Sequence, residues 1–353
     1  MPRLPNLNVL RFFLAMVVML GHISRTSKTL GLPHFPDIPI LQKTNLAVYF
    51  FFSLSGFLII RLLYLESQKG RLNLMNFYKR RMLRILPLYF IVLFTGVFIY
   101  FYLLPWLSIE TGFKNDLGEL LKYFVFFLPN VYIAQHSQDV GGIIYILWSI
   151  GLEEQFYLFI PLVIMAFPRH IVKALIVLVI VHIIASHQFP SIAGNYFNYY
   201  YFLAGGIISI LSLQGKLYFL WRKDARVVLL ILFFVLFFTH YIVIRNDILY
   251  YLVTSAIAGL FICSIADFPI IDLKNKSLNY LGEISYGLYM YHMICVTGIL
   301  YLFSRLQIEI LFKNQLLSTL AIHISVISLT VISAHLSYRY IEKYFMNLKK
   351  RFR

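Results

Sequence analysis

Residues 46–65 read LAVYFFFSLSGFLIIRLLYL, twenty consecutive positions with one formal charge, Arg61, near the end. A helix that is apolar on every side is either buried in a large core or crosses a membrane. Twenty residues is also about the length that spans the ~30 Å hydrocarbon layer. Comparable runs lie on both sides of this one, at about 7–24, 85–105, 148–166, 171–187, 196–213, 227–244, 248–266, 282–303 and 316–341. The composition agrees with them. Of 353 residues, 60% are hydrophobic and only 13% charged, whereas soluble domains carry about a quarter charged residues. A water-soluble globular protein is excluded. The expected fold is all-α: a polytopic transmembrane bundle of about ten helices, with 1–353 forming a single membrane domain.

Lys and Arg number 31 against 15 Asp and Glu, a net charge of +16. In a soluble chain that excess would suggest nucleic acid. Here the basic residues sit between apolar runs and act first as topology signals, so no nucleic-acid partner is expected. An eleventh apolar stretch, ELLKYFVFFLPNVYIA at 119–134, contains Lys122 and breaks at Pro129. If it lies in the interface, alternate loops carry 21 and 8 basic residues, which places both termini in the cytoplasm. If it crosses, the basic tail LKKRFR falls outside. Arg11 interrupts the first apolar run, so that run does not read as a cleavable signal and is expected to stay in the mature protein. Cys263 and Cys295 each lie inside an apolar run, and with two cysteines no CxxC motif or disulfide framework can be built. No metal site is expected. The loops are too short for a soluble catalytic domain, so chemistry falls to residues in or beside the bilayer.

Ionisable side chains within an apolar span are costly, about 2.5–3.5 kcal/mol on insertion scales, and are functional candidates by default. Arg11 and His22 are eleven positions apart, within about 20° of the same helix azimuth and roughly 16 Å apart along the axis. They can share a groove, or they can be a snorkelling arginine and an interfacial histidine. Glu153 and Glu154, in WSIGLEEQFYLFIP, form the sole adjacent acidic pair in the sequence. A carboxylate beside a histidine would fix its tautomer and stabilise its charged form. In FYKRRMLRILPLY (77–89), Arg80 and Arg84, and Arg81 and Arg84, are spaced to share a helix face. Their guanidinium forks suit phosphate oxygens, although the same cluster also reads as a positive-inside signal. In LGEISYGLYMYHMI (281–294), Ser285, Tyr289 and His292 face together, with Tyr286 nearby, as catalytic-site residues or as interhelical hydrogen bonders. His182, His240, His323 and His335 have no recognisable partner in the sequence and read as structural. SLSGFL at 53–58 reads as a small-residue packing face.

In order along the chain, these elements resemble acyltransferase family 3, a family of integral membrane O-acyltransferases, over nearly all 353 residues. The arginine and histidine of that family's first helix are matched by Arg11 and His22, and its FF..SGF element by FFSLSGF at 51–57. Its RR..RI.P.Y element is matched by Arg80, Arg81, Arg84, Ile85, Pro87 and Tyr89. Trp148, Ser149, Glu153, Glu154, Gln155, Phe156, Tyr157 and Leu158 match WS...EEQFYL; Ile284, Ser285, Tyr286, Gly287, Tyr289 and His292 match ISYG.Y..H. Three positions depart from the family pattern. Asn8-Val9 stands where Asp-Gly is usual, Ile294 replaces a proline after the late histidine, and Tyr344 replaces the proline of the terminal SY...E.P element.

The resemblance implies transfer of an acyl group, commonly acetyl, from cytoplasmic acyl-CoA to a hydroxyl of an extracytoplasmic or lipid-linked glycan. The setting it implies is the bacterial inner membrane, with acyl-CoA as co-substrate and no resident cofactor. It also implies the stand-alone form, without a fused hydrolase-like domain. On this reading His22, oriented by Glu153 or Glu154, is the general base. Arg80, Arg81 and Arg84 hold the donor phosphates, and Arg11 lines the path inward. Trp148 and Tyr157 shape the acceptor side, with Ser285, Tyr286 and His292 as further substrate-binding residues. A covalent acyl-enzyme is an open variant. The rival expectation is a transporter or flippase for an anionic or glycolipid substrate. The absence of an internal repeat and the asymmetric set of charges weigh against it.

Overall fold

The computed structural model describes residues 4–109, 116–136, 140–189, 195–307, 314–348 and 352. Among these residues there is no strand, and thirteen helices have eight residues or more. They are α1 (Leu7–Thr29), α2 (Thr44–Gln68), α3 (Leu74–Phe98), α4 (Leu117–Val125), α5 (Pro129–His136), α6 (Leu147–Ala166) and α7 (Ile171–Gln188). The remainder are α8 (Tyr199–Leu213), α9 (Lys223–Phe238), α10 (Asp247–Ala266), α11 (Lys276–Glu283), α12 (Ser285–Arg305) and α13 (Gln315–Ser337).

Eight stretches are long and apolar enough to cross a membrane: Leu7–Thr29, Thr44–Gln68, Leu74–Trp106, Gly142–Ala166, Ile171–Gln188, Asp247–Ala266, Ser285–Arg305 and Gln315–Leu348. The other two of the ten expected spans are α8 and α9, with 15 and 16 residues. At ~1.5 Å per residue each is about 22–24 Å long, less than the hydrocarbon thickness. The span expected at 227–244 stops at Phe238. There the Thr239 hydroxyl donates to the Val235 carbonyl at 2.7 Å and the Thr239 backbone turns extended. Tyr241 and Val243 follow at 88% and 77% exposure, so His240 lies outside the helix. The 119–134 stretch is divided between α4 and α5 by a break at 126–128, where Phe127 has φ 59. The Asp116 carboxylate caps α4, accepting from Glu119 N at 2.7 Å. At nine and eight residues, neither helix is long enough to cross.

The chain folds as two compact units, and its successive stretches alternate between them. The first contains Met1–Leu14, Asn45–Leu74 and Glu153–Glu283; the second contains Ala15–Thr44, Met75–Leu152 and Ile284–Arg353. In the first unit α2 and α8 touch backbone to backbone. A Cβ on Gly56 would stand 2.0 Å from the Phe202 carbonyl oxygen, and one on Gly205 2.1 Å from that of Ser53. The SLSGFL segment is therefore the packing face expected of it. Phe52, Phe202 and Phe156 stack at 4.6 and 4.4 Å beside this contact. Toward the end of α2, Arg61 pairs with Asp267 at 2.7 Å, and Ser212 and Cys263 also approach the same carboxylate. Asn6 ties the N-terminal segment to the loop before α11, donating to Ile271 O and accepting from Leu273 N, both at 2.8 Å.

In the second unit α12 packs along α13. Gly287 makes room for this, since a Cβ there would meet Ala334 and the Glu342 carboxylate at 3.2 Å. The loop after α1 is held by an ion pair of Lys28 with Asp37 at 3.0 Å, which keeps the Asp37 carboxyl below the usual carboxylate range. Arg3, Lys114, Lys313, Lys349, Lys350, Arg351 and Arg353, all counted in the basic split, lie outside the described residues.

Candidate active site

The second unit brings two of the singled-out histidines together. His22 lies near the end of α1 and His292 in the first half of α12, and their ring centroids are 5.2 Å apart. His292 is completely buried, whereas His22 is partly buried. His292 sits three residues after Tyr289, so its Nδ1 reaches the Tyr289 carbonyl. A carbonyl can only accept, so Nδ1 carries the hydrogen and the neutral ring has its lone pair on Nε2. That Nε2 is buried and has no hydrogen-bond partner among the described residues. Tyr289 is itself anchored. Its hydroxyl lies 2.7 Å from Ser149 Oγ and donates to Ile146 O at 3.1 Å, which ties α12 to the start of α6. Ser149 and Trp148 are each 3% exposed, and Ser285 is buried at the head of α12. The Tyr286 hydroxyl donates to Ile85 O at 2.9 Å, next to the arginine cluster on α3.

Within that cluster Arg80, Arg81 and Arg84 are all half-buried on α3. Arg80 donates to Phe352 O at 2.9 Å, Arg81 lies 5.8 Å from the centre of the Phe77 ring, and Arg84 is an electrostatic neighbour of Glu342. α3 continues through Pro87 without ending, as membrane helices tolerate when neighbouring groups satisfy the freed backbone. Glu342 was not among the residues singled out. It is 8% exposed, accepts from Ser337 at 3.3 Å, and closes a π-helical turn, Tyr338–Glu342, at the end of α13. Its sequence signal is an acid in the terminal SY...E element.

The first unit holds the remaining candidates. Glu153 accepts hydrogen bonds from the Ser55 and Tyr157 hydroxyls, and Tyr157 also lies 3.3 Å from Ser55. The Tyr157 contact follows from the i, i+4 spacing on α6. Ser55, read from sequence as a packing residue only, joins them from α2. Glu154 is half-buried with interactions of its own. The Arg11 guanidinium bonds the Asn8 side chain at 3.2 Å one helical turn earlier. Asn8 stands where the resembling family usually has an acid, so this arginine has a neutral amide partner there.

Of the histidines read as structural, His323 has two partners. Its Nδ1 meets Thr319 O at 2.8 Å, which makes Nε2 the acceptor of the Ser24 hydroxyl at 3.3 Å. Thr319 is one turn away and could have been foreseen, but Ser24 is 299 residues distant and could not. His182 packs on Tyr200 at 4.4 Å. No group of three or more potential metal ligands occurs among the described residues.

Helices long and apolar enough to cross a bilayer, with buried ionisable side chains among them, define an integral membrane protein. The acyltransferase domain family matches residues 4–338, and the chain belongs to that family, the membrane acyltransferases of family 3. Among curated relatives it is similar to O-acetyltransferase OatA of Staphylococcus aureus, 27% identical over 96% of this chain and 56% of the relative. It is also similar to ORF330 of Acidianus two-tailed virus, 26% identical over 73% of this chain and 74% of that protein. A protein of Haemophilus influenzae is 32% identical over 32% of this chain. The chain spans about half the length of the OatA proteins it matches. No solved structure matches it. Family membership places the chain among the membrane acyltransferases.

Proposed function

We propose that the chain is an O-acyltransferase that moves an acyl group from cytoplasmic acyl-CoA to a hydroxyl of an extracytoplasmic or lipid-linked glycan. Acetyl is the group favoured, because OatA carries O-acetyltransferase in its name. The observation that carries the proposal is the pair of imidazoles, His22 and His292, set on two membrane-spanning helices. Two histidines in contact within apolar helices are hard to justify as packing but suit proton transfer.

In this reading His22 is the general base, because it is the less buried residue of the pair. It takes the acceptor hydroxyl's proton as that oxygen attacks the thioester carbonyl. The ester C–O bond forms, the C–S bond breaks, and the departing thiolate receives the proton to give free CoA. Arg80, Arg81 and Arg84 hold the donor's phosphates by charge-assisted bonds, and Arg11 lines the donor's path. Trp148, Ser285 and Tyr286 contribute to substrate binding from their unit. Tyr157 does so from its own, held by Glu153, and a carboxylate flanked by hydroxyls is also suited to grip a sugar hydroxyl. Both chain termini lie in the cytoplasm, where the donor is.

The test uses membranes from cells expressing the chain, incubated with radiolabelled acetyl-CoA. Base-labile label should enter the glycan fraction only when the chain is present. Equal labelling with and without the chain overturns the reading.

A further inference from the structure

The general-base reading uses one imidazole of the pair and leaves the other unexplained. His292 has its Nδ1 hydrogen committed to the Tyr289 carbonyl, and Tyr289 is fixed in turn through Ser149 and Ile146 O. Its Nε2 lone pair is buried with no partner among the described residues. An acceptor nitrogen left in this state is destabilising, and native proteins rarely keep one without a use. A phenylalanine would fill the same space without that loss. The nearest titratable ring is His22, at 5.2 Å between centroids, and it is the less buried residue of the pair. On the acyltransferase reading the less buried residue meets the substrate, and the fully buried one acts through it.

We propose that His292 is a positioning residue that acts through His22 as a proton relay; this rests on the acyltransferase reading above. A small approach of the rings lets His22 donate its N–H to His292 Nε2, so that its other nitrogen presents a lone pair to the acceptor hydroxyl. When His22 takes the hydroxyl proton there, it passes the hydrogen on its far nitrogen to His292. The charge then rests on an imidazolium whose Nδ1–H already bonds a carbonyl, and that bond strengthens when its donor is ionised. As the C–S bond breaks, the proton returns through His22 to the thiolate. Nothing is oxidised or reduced, and the products are the ester and free CoA. The relay differs from a histidine–carboxylate pair because a neutral ring orients the base and the positive charge is spread over two rings.

The experiment compares His292→Phe and His292→Gln with the unmodified chain in membrane vesicles, using radiolabelled acetyl-CoA and the endogenous envelope glycan as acceptor. Thermal stability is followed in parallel. His292→Phe keeps the ring's bulk and removes the orphan nitrogen, so it should melt no lower than the parent. Its kcat should nevertheless fall by about 10²–10⁴-fold, with KM for acetyl-CoA unchanged. His292→Gln offers a carbonyl oxygen to orient His22 but cannot accept the proton, so it should recover part of the lost turnover. A purely structural role gives the reverse order, with Phe near parental activity and Gln poorer. That order overturns the relay while leaving the acyltransferase reading standing. An unmodified chain that transfers no label overturns both.

Discussion

At position 22 a partly buried histidine lies against a fully buried one, and that asymmetry sets what each variant should do. His22→Ala should insert normally and bind donor, yet turn over about 10²–10⁴-fold more slowly, the usual contribution of a positioned acid–base group. His22→Gln should be nearly as inactive, because an amide cannot take the proton. Near-parental label transfer by His22→Gln would move the base elsewhere. The arginines on α3 need a different comparison. Arg81→Ala and Arg84→Ala should raise KM for acetyl-CoA with insertion unchanged, since a lost phosphate contact acts mainly on binding. Lysine at either position keeps the topology charge but loses the fork. Unchanged donor KM in both the alanine and lysine variants would leave the cluster as a topology signal alone. Sequence made these residues candidates because a charge in an apolar run is conspicuous. It could not make them neighbours: His22 and His292 lie on helices far apart in the chain, and no periodicity links them. The same is true of Ser55 and Glu153, which lie on α2 and α6, 98 residues apart in the chain.

Among the elements, α2 carries the most tightly determined packing. At Gly56 an added methyl would lie 2.0 Å from a backbone oxygen of α8, and backbone cannot swing aside as a flexible side chain can. Gly56→Ala should therefore lower the melting temperature in detergent and reduce activity by moving Ser55 away from Glu153. A variant that melts like the parent would show that α2 and α8 separate more easily than this contact implies. The Arg61–Asp267 pair gives a second test in the same unit. Its side chains are 13% and 11% exposed. Asp267→Ala should destabilise by about 3–5 kcal/mol, the scale for leaving a buried charge alone. Replacing both residues by leucine should recover most of that loss. If the double variant were no more stable than Asp267→Ala alone, the pair would not be the source. Ten apolar runs were legible, and ten helices occupy them, because length and hydropathy are local properties. The early stop of α9 was not legible. The apolar letters Tyr241, Ile242 and Val243 continue the pattern past Phe238, while the backbone turns extended at Thr239.

For the whole molecule, the basic residues of the loops predict an orientation. Twenty-one basic residues fall on one side and eight on the other, provided that 119–134 does not cross. The division of that stretch into α4 and α5, nine and eight residues long, removes the geometric possibility of a single continuous crossing helix. With that segment in the interface, the number of crossings between the termini is even if α8 and α9 both traverse the bilayer, and the two ends share a side. At 15 and 16 residues these helices are the weak point. They traverse only if the bilayer thins locally or flanking residues snorkel. Lys216 and Arg222 lie between them and Lys223 and Arg226 at the start of α9, a basic cluster that the positive-inside rule predicts to be cytoplasmic. Reporters fused after Lys216 and after Arg353 should both read cytoplasmic, and one fused after Arg245 should read extracytoplasmic. A cytoplasmic signal at Arg245, with the other two unchanged, would mean that α9 and α10 turn back within the membrane. A C-terminal reporter found outside would separate the basic tail from the donor's compartment.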